Sequence, residues 1–173
     1  MFPSPVGQRR SSMNQPALQA ESFSALASEL LPQRPFDIHL SAEIAAARPS
    51  LVYALTLPEY LEAWLHMPDT TGLRVTLSKD PAELRLDRYC TLRHIGTIFV
   101  RFDRRSKDSI RLSWRNCTGL NTSWTSVRVI LRGKRRHCML HLTHSGFRTE
   151  QERRWHHAMW ARSLTDLSRL MSR

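Results

Sequence analysis

From Phe36 the chain alternates. Phe36, Ile38, Leu40, Ala42 and Ile44 are apolar, while Asp37, His39, Ser41 and Glu43 between them are polar. That period of two predicts a strand with one wet face. Pro49 stands where the first turn of a helix accepts proline, opening a short helix through Leu51, Val52, Ala54 and Leu55. Thr56-Leu57-Pro58-Glu59 interrupts it and caps a second helix, whose apolar members are Tyr60, Leu61, Trp64 and Leu65. Pro68 ends that helix. After Gly72 come six β candidates, over residues 73–77, 84–92, 97–103, 110–115, 124–131 and 136–144. The breaks contain Lys79-Asp80-Pro81, His94-Ile95-Gly96, Ser106-Lys107-Asp108, Asn116-Cys117-Thr118-Gly119 and Gly133-Lys134. Connections this short favour an antiparallel meander, because parallel pairs need long crossovers.

The closing stretch changes period. Thr149 with Glu152 three residues on has the spacing of a capping box, and Trp160, Leu164, Leu167 and Met171 then fall on one helical face. A helix of about 22 residues spans roughly 33 Å, enough to cross a sheet. The strands supply the matching surface. Alternation places Ile98, Val100, Phe102, Ile110, Leu112, Trp114, Val127, Val129, Leu131, Leu140, Leu142 and His144 on one face. Arg101, Arg111, Arg128 and His141 fall on the other. The expected fold class is α+β: a bent antiparallel sheet of about six to seven strands wrapped around a long C-terminal helix, with two short helices after the first strand.

Residues 1–35 differ in character. They carry five prolines (Pro3, Pro5, Pro16, Pro32 and Pro35) among Ser, Gln and Ala. Phe23, Leu26, Leu30 and Leu31 predict a short helix over 20–31, and the first fifteen or so residues read as disordered. The division is therefore an N-terminal extension, 1–35, and one domain, 36–173. No apolar run has the length of a membrane span. Ser11-Ser12-Met13-Asn14-Gln15-Pro16 follows Arg9 and Arg10 where a signal core would sit, so a cytoplasmic location is expected.

The formal charge is +11, carried almost wholly by arginine, with lysine only at 79, 107 and 134. Scattered arginines read first as a solvated surface. Arg101, Arg111, Arg115 and Arg128 are the candidate basic interaction face, suited to an acidic protein partner. A nucleic-acid role would need arginines in a stripe with interleaved aromatics on one exposed face, and it is not the favoured reading. Cys90, Cys117 and Cys138 are too few and too odd in number for a disulfide scaffold. Alternation turns His141 away from Cys138 and His144, which argues against a zinc site, and no metal or other cofactor is expected. No nucleophile elbow or phosphate loop occurs, so no catalytic residue is assigned.

Four segments resemble one family. Leu55-Thr56-Leu57-Pro58-Glu59-Tyr60-Leu61-Glu62-Ala63-Trp64-Leu65 is similar to a segment of SRPBCC proteins related to START domains, in the branch named for the activator of a heat-shock chaperone's ATPase. Leu140-His141-Leu142-Thr143-His144-Ser145-Gly146-Phe147 resembles that branch's last strand. His156, Trp160, Leu164 and Leu167 resemble its closing helix, and Ile110-Arg111-Leu112-Ser113-Trp114 a strand ending in Trp. Two departures stand out: Met159 replaces a usual glycine, and a Gly-Gly segment after the second helix is missing. The resemblance implies a helix-grip fold with a hydrophobic cavity. Relatives bind lipids, polyketides, flavonoids or plant hormones, some are polyketide cyclases, and others assist the chaperone through protein contact. It directs attention to Trp64, Phe102, Trp114, Trp155, Met159 and Trp160 as cavity walls, with plain core packing as the commoner part for such residues, and to His144, read first as a histidine fixing the strand-to-helix turn and second as a ligand's polar handle. The expectation is non-enzymatic binding of a small hydrophobic molecule, with a protein-interaction module and a cyclase-like enzyme as alternatives.

Overall fold

A computed structural model describes residues 36–117, 123–134 and 136–172. The helix expected over 20–31 and the disorder expected before it lie outside these residues. Among them the order is β1 (Ile38–Ile44), α1 (Arg48–Thr56), α2 (Pro58–Trp64), β2 (Gly72–Leu77), β3 (Glu83–Cys90), β4 (Arg93–Arg105), β5 (Ser109–Asn116), β6 (Thr125–Lys134), β7 (His137–Ser145) and α3 (Glu150–Met171). All seven strands join one antiparallel sheet in the order β1-β7-β6-β5-β4-β3-β2. The architecture is the α+β helix-grip arrangement: a curved sheet with a long terminal helix. No helix among the described residues is long and apolar enough to cross a membrane.

One sheet face is the core. Leu84 and Leu86 of β3, Ile98, Val100 and Phe102 of β4, Ile110, Leu112 and Trp114 of β5, and Val127, Val129 and Leu131 of β6 are all buried, as are Leu140, Leu142 and His144 of β7. Register slips at Arg88/Tyr89 and between Phe102 and Arg104 interrupt β3–β4 and β4–β5 pairing. Such bulges add local twist, which helps the sheet curl toward its helices. The helices divide the concave face: α3 packs on β1, α2 on β2 and α1 on β6. Side chains of α3 also reach across to β5 and β3, where Trp160 lies 5.5 Å from the Trp114 ring and Trp155 faces Arg88.

Local chemistry explains the element ends. Thr149 caps α3 by accepting the Glu152 amide at 3.2 Å, and the Glu152 carboxylate in turn takes the Arg148 amide at 3.1 Å. Glu150 pairs with Arg153 and Arg154, which hold its carboxyl down to about 2, in the first turn where negative charge suits the helix dipole. Three boundaries differ from the sequence expectation. α2 ends at Trp64, with Leu65 as its C-cap, and does not run on to Pro68. Thr56 does not cap α2; its hydroxyl donates to the Val52 carbonyl at 2.7 Å, inside α1, and Leu57 takes the cap position with no side-chain bond. The turn after β3 falls at Thr91-Leu92, both at positive φ (47° and 68°), while Gly96 lies within β4.

Candidate functional site: a closed apolar cavity and its histidine clasp

Strands β3 to β6 and the helices facing them enclose a cavity of ≈ 30 Å³. Thirteen side chains line it, from α1, α2, the residue after α2, α3 and strands β3 to β6. All are Leu, Ile, Val, Phe or Trp. Of the seven residues singled out from sequence, Trp64, Phe102, Trp114 and Trp160 stand on this wall. His144, Trp155 and Met159 do not.

Each exception has a geometric reason. Met159 is fully buried but precedes Trp160 by one residue, and 100° of helix rotation turns it to another part of the core. Trp155 is half-buried, stacked edge-on to His156 (centroids 4.8 Å apart) and carrying the Arg88 guanidinium 5.7 Å from its ring. His144 is wholly buried, and both its nitrogens are taken. The indole N–H of Trp160 can only donate, so His144 Nδ1, 2.9 Å away, must accept. The hydroxyl of Thr125 donates to the Trp114 carbonyl at 3.0 Å, so it accepts from His144 Nε2–H at 2.7 Å. The result is a one-way chain of hydrogen bonds that runs from Trp160 through His144 and Thr125 and ends on the Trp114 carbonyl as acceptor. It fixes the neutral Nε2–H tautomer and ties α3 to β7, β6 and β5.

Burial pushes His144 well below the usual histidine value, and the adjacent His156 (centroids 4.9 Å apart) pushes the same way. Burial also lowers His156, against the Glu152 carbonyl, which accepts its Nδ1–H at 2.9 Å and pulls upward. Two buried polar atoms in this quarter find no partner among the described residues, His156 Nε2 and Trp114 Nε1. The Trp114 ring also stands on the cavity wall. The lining offers no acid, base or thiol, and nothing that coordinates a metal.

The two short helices close the cavity as a tied pair. Trp64 of α2 donates its indole N–H to the Ala54 carbonyl of α1 at 2.8 Å. The Ser163 hydroxyl of α3 accepts the His66 amide at 2.8 Å and donates to the His66 carbonyl at 3.3 Å. Glu62, expected on a wet face, accepts the Val75 amide at the sheet edge at 2.5 Å. Sequence reasoning missed Thr125 and Ser163, because their partners lie 19 and 97 residues away.

The candidate basic face lies on the opposite side of the sheet. Arg101, Arg111 and Arg128 are exposed there and Arg115 is half-buried. His141 is on that side too, bonded to Ser41 at 2.9 Å.

No family model matches the chain, and no curated protein matches it. Solved structures do. A protein of Chromobacterium violaceum superposes with a TM-score of 0.66 at 15% identity, over 80% of this chain and 99% of that one. The AHSA1 protein of Silicibacter pomeroyi gives 0.63 at 16% identity, over 79% and 97%. A START superfamily protein of Mycobacterium smegmatis gives 0.56 at 12% identity, again over 79% and 97%. At these identities the likeness is one of fold.

Proposed function

We propose that this domain, sharing the fold of START-superfamily proteins, binds a small and mainly hydrophobic molecule between α3 and the sheet, beneath α1 and α2. One observation carries the reading: an apolar cavity whose wall holds a buried tryptophan with no partner for its N–H among the described residues. An unpaired buried donor costs about 1–3 kcal/mol, and a ligand acceptor would recover that. The favoured ligand is therefore apolar with one carbonyl or ether oxygen.

The volume sets a condition. A cavity of ≈ 30 Å³ takes about one water molecule, whereas ligand pockets run to roughly 300–1,000 Å³. Binding must displace α1 and α2, which are tied to each other by Trp64 and to α3 through Ser163. A wall without acid or base supports holding a molecule rather than turning it over.

Thermal shift with a panel of flat aromatic ketones and fatty acids tests this. A ligand should raise the melting temperature by mass action. Trp114→Phe, which keeps a ring and removes the N–H, should weaken a ketone about fivefold and leave a matched hydrocarbon unaffected. If no panel member shifts the melting point while Val127→Ile raises it, the cavity is a packing gap and the reading fails.

A further inference from the structure

The outer sheet face carries an arrangement that the cavity does not explain. Arg104, Arg111 and Arg128 stand in direct cross-strand register on β4, β5 and β6. Neighbouring strands are about 4.8 Å apart, so three like charges sit shoulder to shoulder. Like charges directly opposite one another destabilise a sheet. All three are exposed, and none has an ion-pair partner among the described residues. The nearby carboxylates are mostly engaged. Asp87 is held by Arg85, His94 and Thr97, and Asp103 by Arg101 and Ser113. Asp108 accepts from the Ser106 hydroxyl and shares a surface recess with Arg48, Arg128 and Arg132, so cations outnumber it there too.

A second feature lies on the same face. The guanidinium of Arg101 is 5.0 Å from the Trp124 ring centroid, that of Arg115 is 4.5 Å from it, and Arg115 is also 5.2 Å from the Phe99 ring. Arg101, Trp124, Arg115 and Phe99 thus form a continuous group of alternating cations and aromatic rings. Arg111 and Arg115 are four residues apart on β5, which places the group about 13 Å from the arginine row.

We infer that this face binds single-stranded nucleic acid, with Arg104, Arg111 and Arg128 on the phosphates and the Arg101–Trp124–Arg115–Phe99 group receiving bases. Charge complementarity alone would suit any polyanion. The aromatic–guanidinium group is what selects, because bases stack on both aromatic rings and guanidinium planes, and an acidic peptide has no flat group to offer. A nucleic-acid role requires arginines with interleaved aromatics on one face open to solvent; here Arg101 is exposed, and Trp124, Arg115 and Phe99 are half-buried, so part of each remains open. Alternation along the strands does not single out Trp124, which stands just before β6.

Fluorescence anisotropy with a labelled oligo(dT) and a labelled oligo(U), titrated across salt, tests the proposal on the full chain. Each oligonucleotide should bind at low salt. Replacing Arg104, Arg111 and Arg128 by Ala should weaken binding about tenfold and flatten the slope of log K against log salt by about 2, because three phosphates are then no longer neutralised. Trp124→Ala should weaken binding about tenfold at every salt concentration. The triple variant Arg93→Ala, Arg136→Ala, Arg148→Ala removes the same charge elsewhere and should change little. Circular dichroism confirms that each variant folds. Absence of oligonucleotide binding at low salt overturns the inference, as does an equal loss in the two triple variants. Polyglutamate of matched charge binding as tightly, with no dependence on Trp124, also overturns it and assigns the face to an acidic protein.

Discussion

His144 illustrates how one side chain can be legible in direction and in its structural character while its partners are not. Alternation along β7 turns it inward, which the sequence shows. Its tautomer depends on a tryptophan from α3 and a threonine from β6, partners that no local pattern encodes. With both nitrogens engaged and neutral, it is a clasp, and His144→Leu leaves Trp160 Nε1–H and Thr125 without it. The expected loss is about 2–4 kcal/mol, read from urea unfolding at pH 7.5. Acidity should act through the same residue. His144 and His156 both lie below the ordinary value of 6.5 in the fold. Above about pH 6.5 native and unfolded chains are alike in charge at these sites, and stability is flat. Below it the unfolded chain takes up protons that the native one refuses. Stability then falls by up to ~1.4 kcal/mol per pH unit for each histidine. Urea midpoints should drop between pH 7.5 and 5.5, less steeply in His144→Leu. A midpoint that holds steady would mean that the two buried rings take up protons as readily in the native chain as in the unfolded one.

At the scale of elements, the β3–β4 hairpin makes the sharpest test. Its two-residue turn places Thr91 and Leu92 in the left-handed region, with Leu92 96% exposed. Two-residue hairpins of this kind favour Asn-Gly, and an ordinary L-residue in that region costs about 1–2 kcal/mol. The double change Thr91→Asn, Leu92→Gly should therefore stabilise the domain by about 1–2 kcal/mol, visible as a higher melting temperature. No change would show that the strain is relieved in solution. At this hairpin the sequence also misplaces the strand boundaries. Thr and Leu are strand formers by composition, and Gly96 attracts a turn assignment that tertiary pairing overrides. The inner faces of β4 to β7 are readable because their period is strict and their burial one-sided. The split of the cavity wall is less so. Trp160 and Met159 are adjacent in sequence, and only the position of α3 over β1 decides which of them sees the cavity.

For the molecule as a whole, the sheet has two faces with separate chemistry: a dry one closed by three helices and a wet one dominated by arginine. The dry side opens only if the α1–α2 pair moves, and Ser163 is its tie to α3. Ser163→Ala removes the acceptor of the His66 amide and should speed hydrogen exchange across 48–66 about tenfold, while β6 and β7 stay protected. Uniform acceleration throughout the domain would instead mean that Ser163 supports global stability and gates nothing.

The pairing of β1 with β7 has a consequence for how the chain is made. Ile38 meets His144 and Ile44 meets Cys138, while Ser41 and His141, opposite each other, are 100 residues apart. Until β7 has been synthesised, the apolar side of β1 emerges from the ribosome without a mate, and loop closure over so long a separation is slow. Nascent chains halted before β7 should be the species most prone to clump or recruit holding factors, and emergence of that strand with the helix behind it should end the vulnerability.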